Sequence, residues 1–370
     1  MSSPNTAVMV AGDDKATTAR LSTLDRFLPV WILAAMAVGL LLGRLIPGLD
    51  AALDAVKIGS VSLPIAIGLL VMMYPVLAKV RYNETGRVLA DRRLMVTSLL
   101  INWVLAPAFM FALAWLLLPD LPEYRTGLII VGLARCIAMV LIWNDLARGD
   151  REAAAVLVAI NSVFQVVAFG ALGWFYLQVL PTWLGLETTS AQFSVWAITA
   201  SVLVFLGIPL VAGFLTRTIG ERTKGRDWYE NRLLPKIGPW ALYGLLFTIV
   251  ILFALQGDTI ISEPGHVLRI AVPLLVYFLV VFTASLLAGR ALKLGYPRAT
   301  TLAFTAAGNN FELAIAVAIA TFGVTSGQAL AGVVGPLIEV PVLVALVYVA
   351  LWARRHLFTS PVPHPEEAPA

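Results

Sequence analysis

The amino-acid sequence predicts an all-α integral membrane protein with ten transmembrane helices. Three observations support this fold class: an apolar composition, ten long apolar stretches, and a one-sided distribution of Lys and Arg. Of the 370 residues, 59% are hydrophobic and 13% are charged, and the mean hydropathy is +0.87. A soluble domain is nearer half apolar and a quarter charged. A chain of this size could not bury so much apolar surface away from water, so we expect it to lie in a bilayer.

The ten stretches have the length that a bilayer requires. A hydrocarbon core about 30 Å thick needs roughly 20 predominantly apolar residues per helix. We number the stretches as segments 1 to 10, and they cover residues 27–47, 61–80, 94–118, 127–146, 153–180, 193–218, 240–256, 267–292, 299–322 and 329–352.

The basic residues predict the orientation, because cytoplasmic loops retain positive charge. With ten spans, 21 of the 26 Lys and Arg residues lie at or beyond span ends on the side of the two termini and 4 on the opposite side, while Arg135 alone lies near the middle of a span. A missed or extra helix would destroy this asymmetry. We therefore predict a multi-pass protein of the cell membrane, with cytoplasmic tails at 1–26 and 356–370.

The arrangement of spans also predicts an internal repeat. Five segments (27–180) precede a polar loop and five (193–355) follow it, so the second half would be inverted relative to the first. Inverted repeats are common in secondary transporters, whose sites lie near the bilayer midplane on interrupted helices. Segments 4 and 9 correspond to each other in this scheme.

Both of these segments contain residues that disfavour a continuous apolar helix. Segment 4 carries Arg135 and Cys136 near its centre, and segment 9 carries Gly-Asn-Asn at 308–310 followed closely by Glu312. Backbone freed from a helix at membrane depth is tolerated only where protein buries it or where it lines a cavity. We expect the two helices to be broken and to cross at their breaks, which would bring Arg135, Cys136, Asn309, Asn310 and Glu312 together.

Each of these side chains also has a purely structural interpretation. A buried cysteine is often a small apolar residue, but a neighbouring cation favours the thiolate that binds soft ions. An intramembrane carboxyl such as Glu312 is a functional group by default, and an ion pair with Arg135 is the alternative. Asn309 and Asn310 either line a substrate site or join helices. Glu339, between two prolines in segment 10, is a second and weaker candidate.

Several function classes are excluded by what the sequence lacks. The three histidines lie outside the segments, and no HExxH, GxSxG, P-loop or GxGxxG motif occurs in a usable context. The sequence therefore predicts no enzyme, no cofactor and no ATP-driven pump. The net charge of +4 is explained by cytoplasmic loops, so no nucleic-acid partner is expected. A secondary transporter remains, of an oligomeric state that the sequence leaves open.

Two motifs resemble the signature helices of the arsenical-resistance permeases, which are related to the bile acid:sodium symporters. These motifs are Gly-Leu-Ala-Arg-Cys-Ile-Ala-Met-Val at 132–140 and Thr-Ala-Ala-Gly-Asn-Asn-Phe-Glu-Leu-Ala-Ile-Ala-Val-Ala at 305–318. The resemblance implies efflux of arsenite, and it places the family's essential cysteine on Cys136 and its essential glutamate on Glu312. It also implies a panel of helices 1, 2, 6 and 7 and a core of helices 3–5 and 8–10.

The resemblance yields a specific expectation for the mechanism. Cys136 would ligate trivalent arsenic, or its larger analogue antimony, while Asn309, Asn310 and Arg135 complete the substrate site. Glu312 would carry the proton that enters as arsenite leaves, with Glu339 as the next candidate. The alternative is a sodium-coupled symporter of an organic anion, as in the related symporters, and such a protein would have no need of a thiol.

Overall fold

The computed structural model describes residues 27–49, 52, 55, 57–58, 61–80, 91–137, 139–188, 194–262 and 264–358. The predicted N-terminal tail (1–26) and the C-terminal tail beyond residue 358 lie outside the described residues. The helices of the described part are α1 (Leu28–Leu45), α2 (Leu63–Ala78), α3 (Arg92–Leu117), α4 (Pro122–Leu133), α5 (Met139–Leu146), α6 (Arg151–Trp183), α7 (Val195–Lys224), α8 (Leu234–Ser262), α9 (Pro264–Ala291), α10 (Gly295–Ala307), α11 (Phe311–Phe322) and α12 (Gly327–His356).

The helical membrane fold is confirmed by the length and composition of these elements. Six stretches are long and apolar enough to cross a bilayer: Arg92–Leu117, Arg151–Trp183, Val195–Lys224, Arg226–Leu255, Pro264–Ala291 and Gly327–His356. Three shorter apolar helices accompany them, at Val30–Leu45, Leu63–Ala78 and Phe311–Phe322. The structure thus has the continuous apolar helices that a multi-pass membrane protein requires.

One short element among the described residues is not helical. A two-stranded antiparallel hairpin, β1 (Lys57–Ile58) and β2 (Val61–Ser62), precedes α2. Two β-branched residues flank a Gly-Ser pair in the sequence here, a pattern typical of a tight hairpin. The sequence analysis counted Val61 and Ser62 as the start of segment 2 and left Lys57 and Ile58 in the preceding loop, so it missed the strands.

The predicted extent of segment 7 was too short. Residues 240–256 form only the apolar centre of α8, which runs from Leu234 to Ser262 and is continuous with helical turns that begin at Arg226. The preceding chain reversal occurs at Gly225, whose φ of +83° is costly for any residue with a Cβ. Hydropathy identifies the part of a helix inside the hydrocarbon, whereas hydrogen bonding continues the helix through its polar ends.

Packing separates the helices into two groups. In the first group α8 packs on α1 and α2, and α7 packs on α2. Small residues allow these close approaches: a Cβ on Gly244 would lie 2.7 Å from the Met72 nitrogen, and one on Gly213 would lie 2.8 Å from the Ala78 nitrogen. The second group contains α3 to α6 and α9 to α12, and α7 contacts it through α6 and α11. The helix interruptions both lie in this second group.

An exposed ion pair joins the first turns of α9 to the connection between α3 and α4, on the side opposite the predicted cytoplasmic face. The Arg269 guanidinium of α9 donates to Asp120, between α3 and α4, with an Nη1–Oδ2 distance of 2.6 Å. This hydrogen bond lowers the pKa of Asp120 from its usual 3.8 to about 2. The stabilisation is therefore present above the unfolded-state pKa and is lost as the pH falls towards 2.

We expect Asp120→Asn to remove this pH dependence. Between about pH 6 and about pH 3 the thermal unfolding midpoint of the wild-type protein should fall more than that of the variant, because only the wild type has the Asp120 ion pair that acidification weakens. The difference should be small and should shrink in high salt, since both side chains are exposed. Parallel unfolding curves for the two proteins at both pH values would contradict this assignment.

Candidate functional site

Two interrupted helices cross through a short piece of extended backbone. Helix α4 ends at Leu133 and α10 ends at Ala307, and the chain then extends through Ala134 and Gly308. An antiparallel bridge pairs Arg135 with Asn309. The Cys136 N–H donates to the Gly308 carbonyl at 3.2 Å, and the Asn310 N–H donates to the Ala134 carbonyl at 3.0 Å. Each broken helix thus satisfies backbone groups of the other, which the membrane interior demands.

Glycine at position 308 permits this close crossing. A Cβ placed on Gly308 would lie 3.0 Å from the Cβ of Cys136 and 3.7 Å from its sulfur. A larger residue here would push the two extended segments apart. The sequence signal Gly-Asn-Asn therefore marks the position where the backbones of the two helices meet.

A small cavity lies beside the crossing. Its lining residues are Cys136, Ile137, Met139, Asn309, Asn310, Glu312 and Glu339. The cavity contains five of the six side chains that the sequence analysis selected as site residues, including both carboxyls. These residues come from the two helix breaks, from the first turns of α5 and α11, and from α12.

The two asparagines each combine a structural contact with an unused polar atom. The Asn309 amide nitrogen donates to the Val131 carbonyl at 2.7 Å, and the Asn310 side-chain oxygen accepts from the Leu313 N–H at 3.0 Å as the N-cap of α11. The Asn309 Oδ1 and the Asn310 Nδ2 are buried without a hydrogen-bond partner. Such groups are costly unless a water or a ligand satisfies them. One acceptor and one donor are therefore available beside Cys136.

The two glutamates reach the cavity from different helices. Glu312 lies in the first turn of α11, and its side chain is half-buried. Glu339 belongs to α12, is 3% exposed, and accepts a hydrogen bond from the Asn309 backbone N–H at 3.1 Å. Glu339 therefore satisfies a donor that the interruption of α10 leaves without a helical partner.

The Arg135 side chain does not line this cavity. Its guanidinium donates to the Tyr277 hydroxyl at 2.8 Å and to the carbonyl of Ala306 at 3.1 Å, and it also contacts the carbonyl of Gly132. The side chain is fully buried, and among the ion pairs of the described residues none joins it to Glu312. The structure thus brings the other five predicted site residues together around the cavity and leaves the Arg135 side chain outside its lining.

Gln165 and Tyr277 are the site residues that sequence reasoning missed. The fully buried Gln165 amide of α6 accepts from the Arg135 N–H at 2.9 Å and donates to the Arg135 carbonyl at 3.1 Å, as a neighbouring strand would. The Tyr277 hydroxyl of α9 accepts a hydrogen bond from the Arg135 guanidinium. A glutamine inside an apolar helix was a signal that a polar partner exists, but it did not identify Arg135.

Gln165→Met should destabilise the crossing. The substitution keeps the length of the side chain but leaves two buried backbone groups of Arg135 without partners, each at a cost of about 1–3 kcal/mol. The unfolding midpoint of the purified protein should fall by several degrees. Ser162→Ala is the matched control, because Ser162 is equally buried on α6 and bonds only to Val158 of its own helix. Equal midpoints for the two variants would contradict the role of Gln165.

The four half-helices polarise the crossing. Helices α4 and α10 direct their C-terminal ends towards it, and α5 and α11 begin there. A helix N-terminus carries partial positive charge and a C-terminus partial negative charge. Cys136 and Asn310 lie near the positive ends, a setting that favours a polar ligand. Arg135 lies at the negative ends.

Comparisons with known proteins agree with this architecture. The model of the Sodium Bile acid symporter family matches residues 66–263. An arsenical-resistance protein Acr3 from Corynebacterium glutamicum is 63% identical over 354 residues, which cover 96% of each chain. An arsenical-resistance protein Acr3 from Alkaliphilus metalliredigens is 33% identical over 90% of this chain and 94% of its own length. An uncharacterized transporter from Synechocystis sp. is 35% identical over 90% of this chain and 91% of its own length.

The chain has long apolar helices around two interrupted helices that cross beside a polar cavity. With the family match and the similarity to the Corynebacterium protein, this architecture is that of a membrane transporter and not of an enzyme. The 63% identity to the Corynebacterium protein over 96% of the chain identifies the subgroup within this family. The chain belongs to the sodium bile acid symporter family and, within it, to the arsenical-resistance permeases.

Proposed function

We propose that this protein exports trivalent arsenite across the cell membrane in exchange for entering protons, with Cys136 as the metalloid ligand. The observation that carries this proposal is the position of Cys136 in the cavity at the crossing, next to two asparagines and two carboxyls. The names of two relatives, arsenical-resistance proteins, support the choice of substrate.

The proposal includes ten membrane crossings in two inverted halves. The pairs α4–α5 and α10–α11 would each cross once as an interrupted helix, and α1 to α3, α6 to α9 and α12 would each cross once. The first interrupted helix is then the fourth crossing and the second is the ninth, as an inverted five-plus-five repeat requires. The distribution of basic residues supports cytoplasmic termini.

Cysteine labelling tests this topology. Because Cys136 is the only cysteine, Cys136→Ser provides a background without thiols. A cysteine introduced at Glu187 or Thr325 should react with a membrane-impermeant maleimide in intact cells. One introduced at Lys224, or at Pro365 in the tail outside the described residues, should react only after permeabilisation. Any one of the four on the wrong side contradicts the ten-crossing topology.

The chemistry of arsenite fits a single thiol. In neutral water it is an uncharged trihydroxide whose soft trivalent centre exchanges hydroxide for thiolate. As the sulfur–arsenic bond forms, one arsenic–oxygen bond breaks, and the departing hydroxide takes up the thiol proton as water. No redox change occurs, and the reverse step with water releases the substrate. One such bond is reversible enough for transport, whereas three thiolates would retain the metalloid.

The asparagines supply the remaining contacts. The free Asn309 oxygen accepts from one hydroxyl of the bound arsenite, and the free Asn310 nitrogen donates to another. Arg135, which the sequence analysis placed among the substrate-binding residues, contributes in this proposal through its backbone at the crossing. Antimonite, with a larger centre and the same ligand preference, would bind in the same way.

Proton entry supplies the driving force. A charged carboxylate is costly inside the membrane, so the empty carrier returns with Glu312 protonated, and the arsenite-loaded carrier crosses without that proton. Glu339 is the second candidate for this proton. Moving one proton's charge down the membrane potential contributes about 2.3 kcal/mol per 100 mV, enough for a roughly 50-fold concentration gradient.

Arsenite uptake into everted membrane vesicles tests the function. An acidic vesicle interior without sodium should drive uptake, and a protonophore should abolish it. Uptake that requires a sodium gradient would instead favour the sodium-coupled mode of transport after which the family is named. The absence of arsenite uptake under both gradients would contradict the proposed substrate.

A further inference from the structure

The buried guanidinium of Arg135 lies where two half-helices end. Its Nη1 donates to the Ala306 carbonyl in the last turn of α10 at 3.1 Å, and its Nη2 donates to the Gly132 carbonyl in the last turn of α4. The last four carbonyls of a helix have no partner within it. Arg135 therefore joins unpaired carbonyl groups of both interrupted helices.

The charge of this side chain matches the charge of its surroundings. A helix C-terminus carries roughly half a negative elementary charge, so two converging ends present roughly one. Among the ion pairs of the described residues none involves Arg135, and the Tyr277 hydroxyl, itself 3.4 Å from the Ala306 carbonyl, is its side-chain partner. The counter-charge of this buried cation is thus the backbone itself.

A cluster of this kind is a cation site in transporters with broken helices. Unwound carbonyls and half-helix C-termini coordinate the coupling sodium ion in such proteins. We infer that Arg135 is a covalently attached cation that occupies the position of a coupling metal ion, and that it makes this transporter independent of sodium. This inference rests on the proposed secondary transport, and it adds a reason why protons rather than sodium would be coupled.

The inference predicts a vacant cation site when the charge is removed. In Arg135→Gln the side chain remains polar, but the carbonyls of Gly132 and Ala306 and the Tyr277 hydroxyl lose their positively charged partner. The unfolding midpoint should fall by several degrees, and low millimolar guanidinium ion should raise it again in a saturable manner, as a ligand of the folded state does. The midpoint of the wild-type protein should respond neither to guanidinium nor to sodium at these concentrations.

Arg125→Gln is the matched control. Arg125 is also buried, and its guanidinium donates to the Pro119 carbonyl at 2.9 Å and stacks on Trp115, but it lies at the outer end of α4, away from the crossing. This variant should lose stability without any saturable rescue by guanidinium. If Arg135→Gln does not fold, Arg135→Lys serves instead, and it should fold and remain indifferent to sodium because the charge is kept.

Transport completes the experiment. Arsenite uptake into vesicles should not depend on sodium in the wild type, should be lost in Arg135→Gln, and should return in part with guanidinium ion. A wild-type protein that sodium stabilises, or whose uptake needs sodium, would overturn the inference, as would a folded Arg135→Gln protein that no small cation affects. If wild-type uptake is independent of sodium but guanidinium ion does not rescue Arg135→Gln, only the inference about Arg135 is refuted. If guanidinium ion restores the stability of Arg135→Gln but the wild type takes up no arsenite, only the proposed function is refuted.

Discussion

Cys136→Ser should abolish arsenite transport while the protein still inserts and folds. Serine keeps the size and a polar atom of the side chain but replaces a soft ligand by a hard hydroxyl, which does not hold trivalent arsenic. Uptake into everted vesicles should fall by two orders of magnitude or more, a loss of about 2.7 kcal/mol. Because Cys136 is the only cysteine in the sequence, no other thiol can replace it.

The opposite interpretation, a cysteine that only packs, makes a different prediction. Cys136 is 4% exposed and belongs to the buried apolar cluster, so a packing role would let alanine support transport. Met139→Leu, at another lining position, is the control for a change of cavity shape without a change of ligand. A Cys136→Ser or Cys136→Ala protein with wild-type uptake would leave the cysteine as a packing residue and remove it from the mechanism.

The sequence allowed the crossing to be predicted because polar groups are rare and costly in a bilayer. Cys136, Asn309, Asn310 and Glu312 lie on segments that a five-plus-five repeat makes equivalent, and the structure brings all four to one cavity. A broken helix needs partners for its freed backbone, and another broken helix supplies them. The cost of placing polar residues inside the bilayer predicted the crossing better than the periodicity of the apolar residues did.

Side-chain direction at the crossing could not be predicted. The 3.6-residue period assigns faces only within a regular helix, and it fails at Arg135, where the backbone is extended. One consequence is that Cys136 lines the cavity whereas the Arg135 guanidinium lies outside it, bonded to Tyr277 and Ala306. The partners of Arg135, Gln165 and Tyr277, come from α6 and α9, and only the tertiary fold identifies them.

Glu339 shows the same limit on another helix. The sequence made it a weaker candidate because a position closer to one face of the membrane was expected for it. The structure brings its carboxyl into the cavity and onto the backbone N–H of Asn309 at 3.1 Å. Helix α12 continues through Pro336 and Pro341, so the prolines do not break it as the glycine and asparagines break segment 9.

Glu312→Gln should stop gradient-driven efflux and leave substrate binding intact. A proton-coupled carrier visits both protonation states of one group, and the amide keeps the shape of the neutral acid but cannot release a proton. Accumulation of arsenite in acid-loaded everted vesicles should therefore fall to the background. Protection of the Cys136 thiol by arsenite against a maleimide should persist, because the ligand and both asparagines are unchanged.

The exchange of arsenite across the membrane separates coupling from structure. In vesicles preloaded with unlabelled arsenite, Glu312→Gln should still exchange it for labelled arsenite, because that cycle needs no net proton movement. Glu312→Asp, with a shorter reach, should retain part of the driven uptake at a shifted pH optimum. If Glu312→Gln still accumulates arsenite against a gradient, the coupling proton is carried by Glu339 instead. In that case Glu339→Gln should show exchange without gradient-driven uptake. If Glu312→Gln instead loses exchange, thiol protection and thermal stability together, Glu312 supports the first turn of α11 and carries no proton.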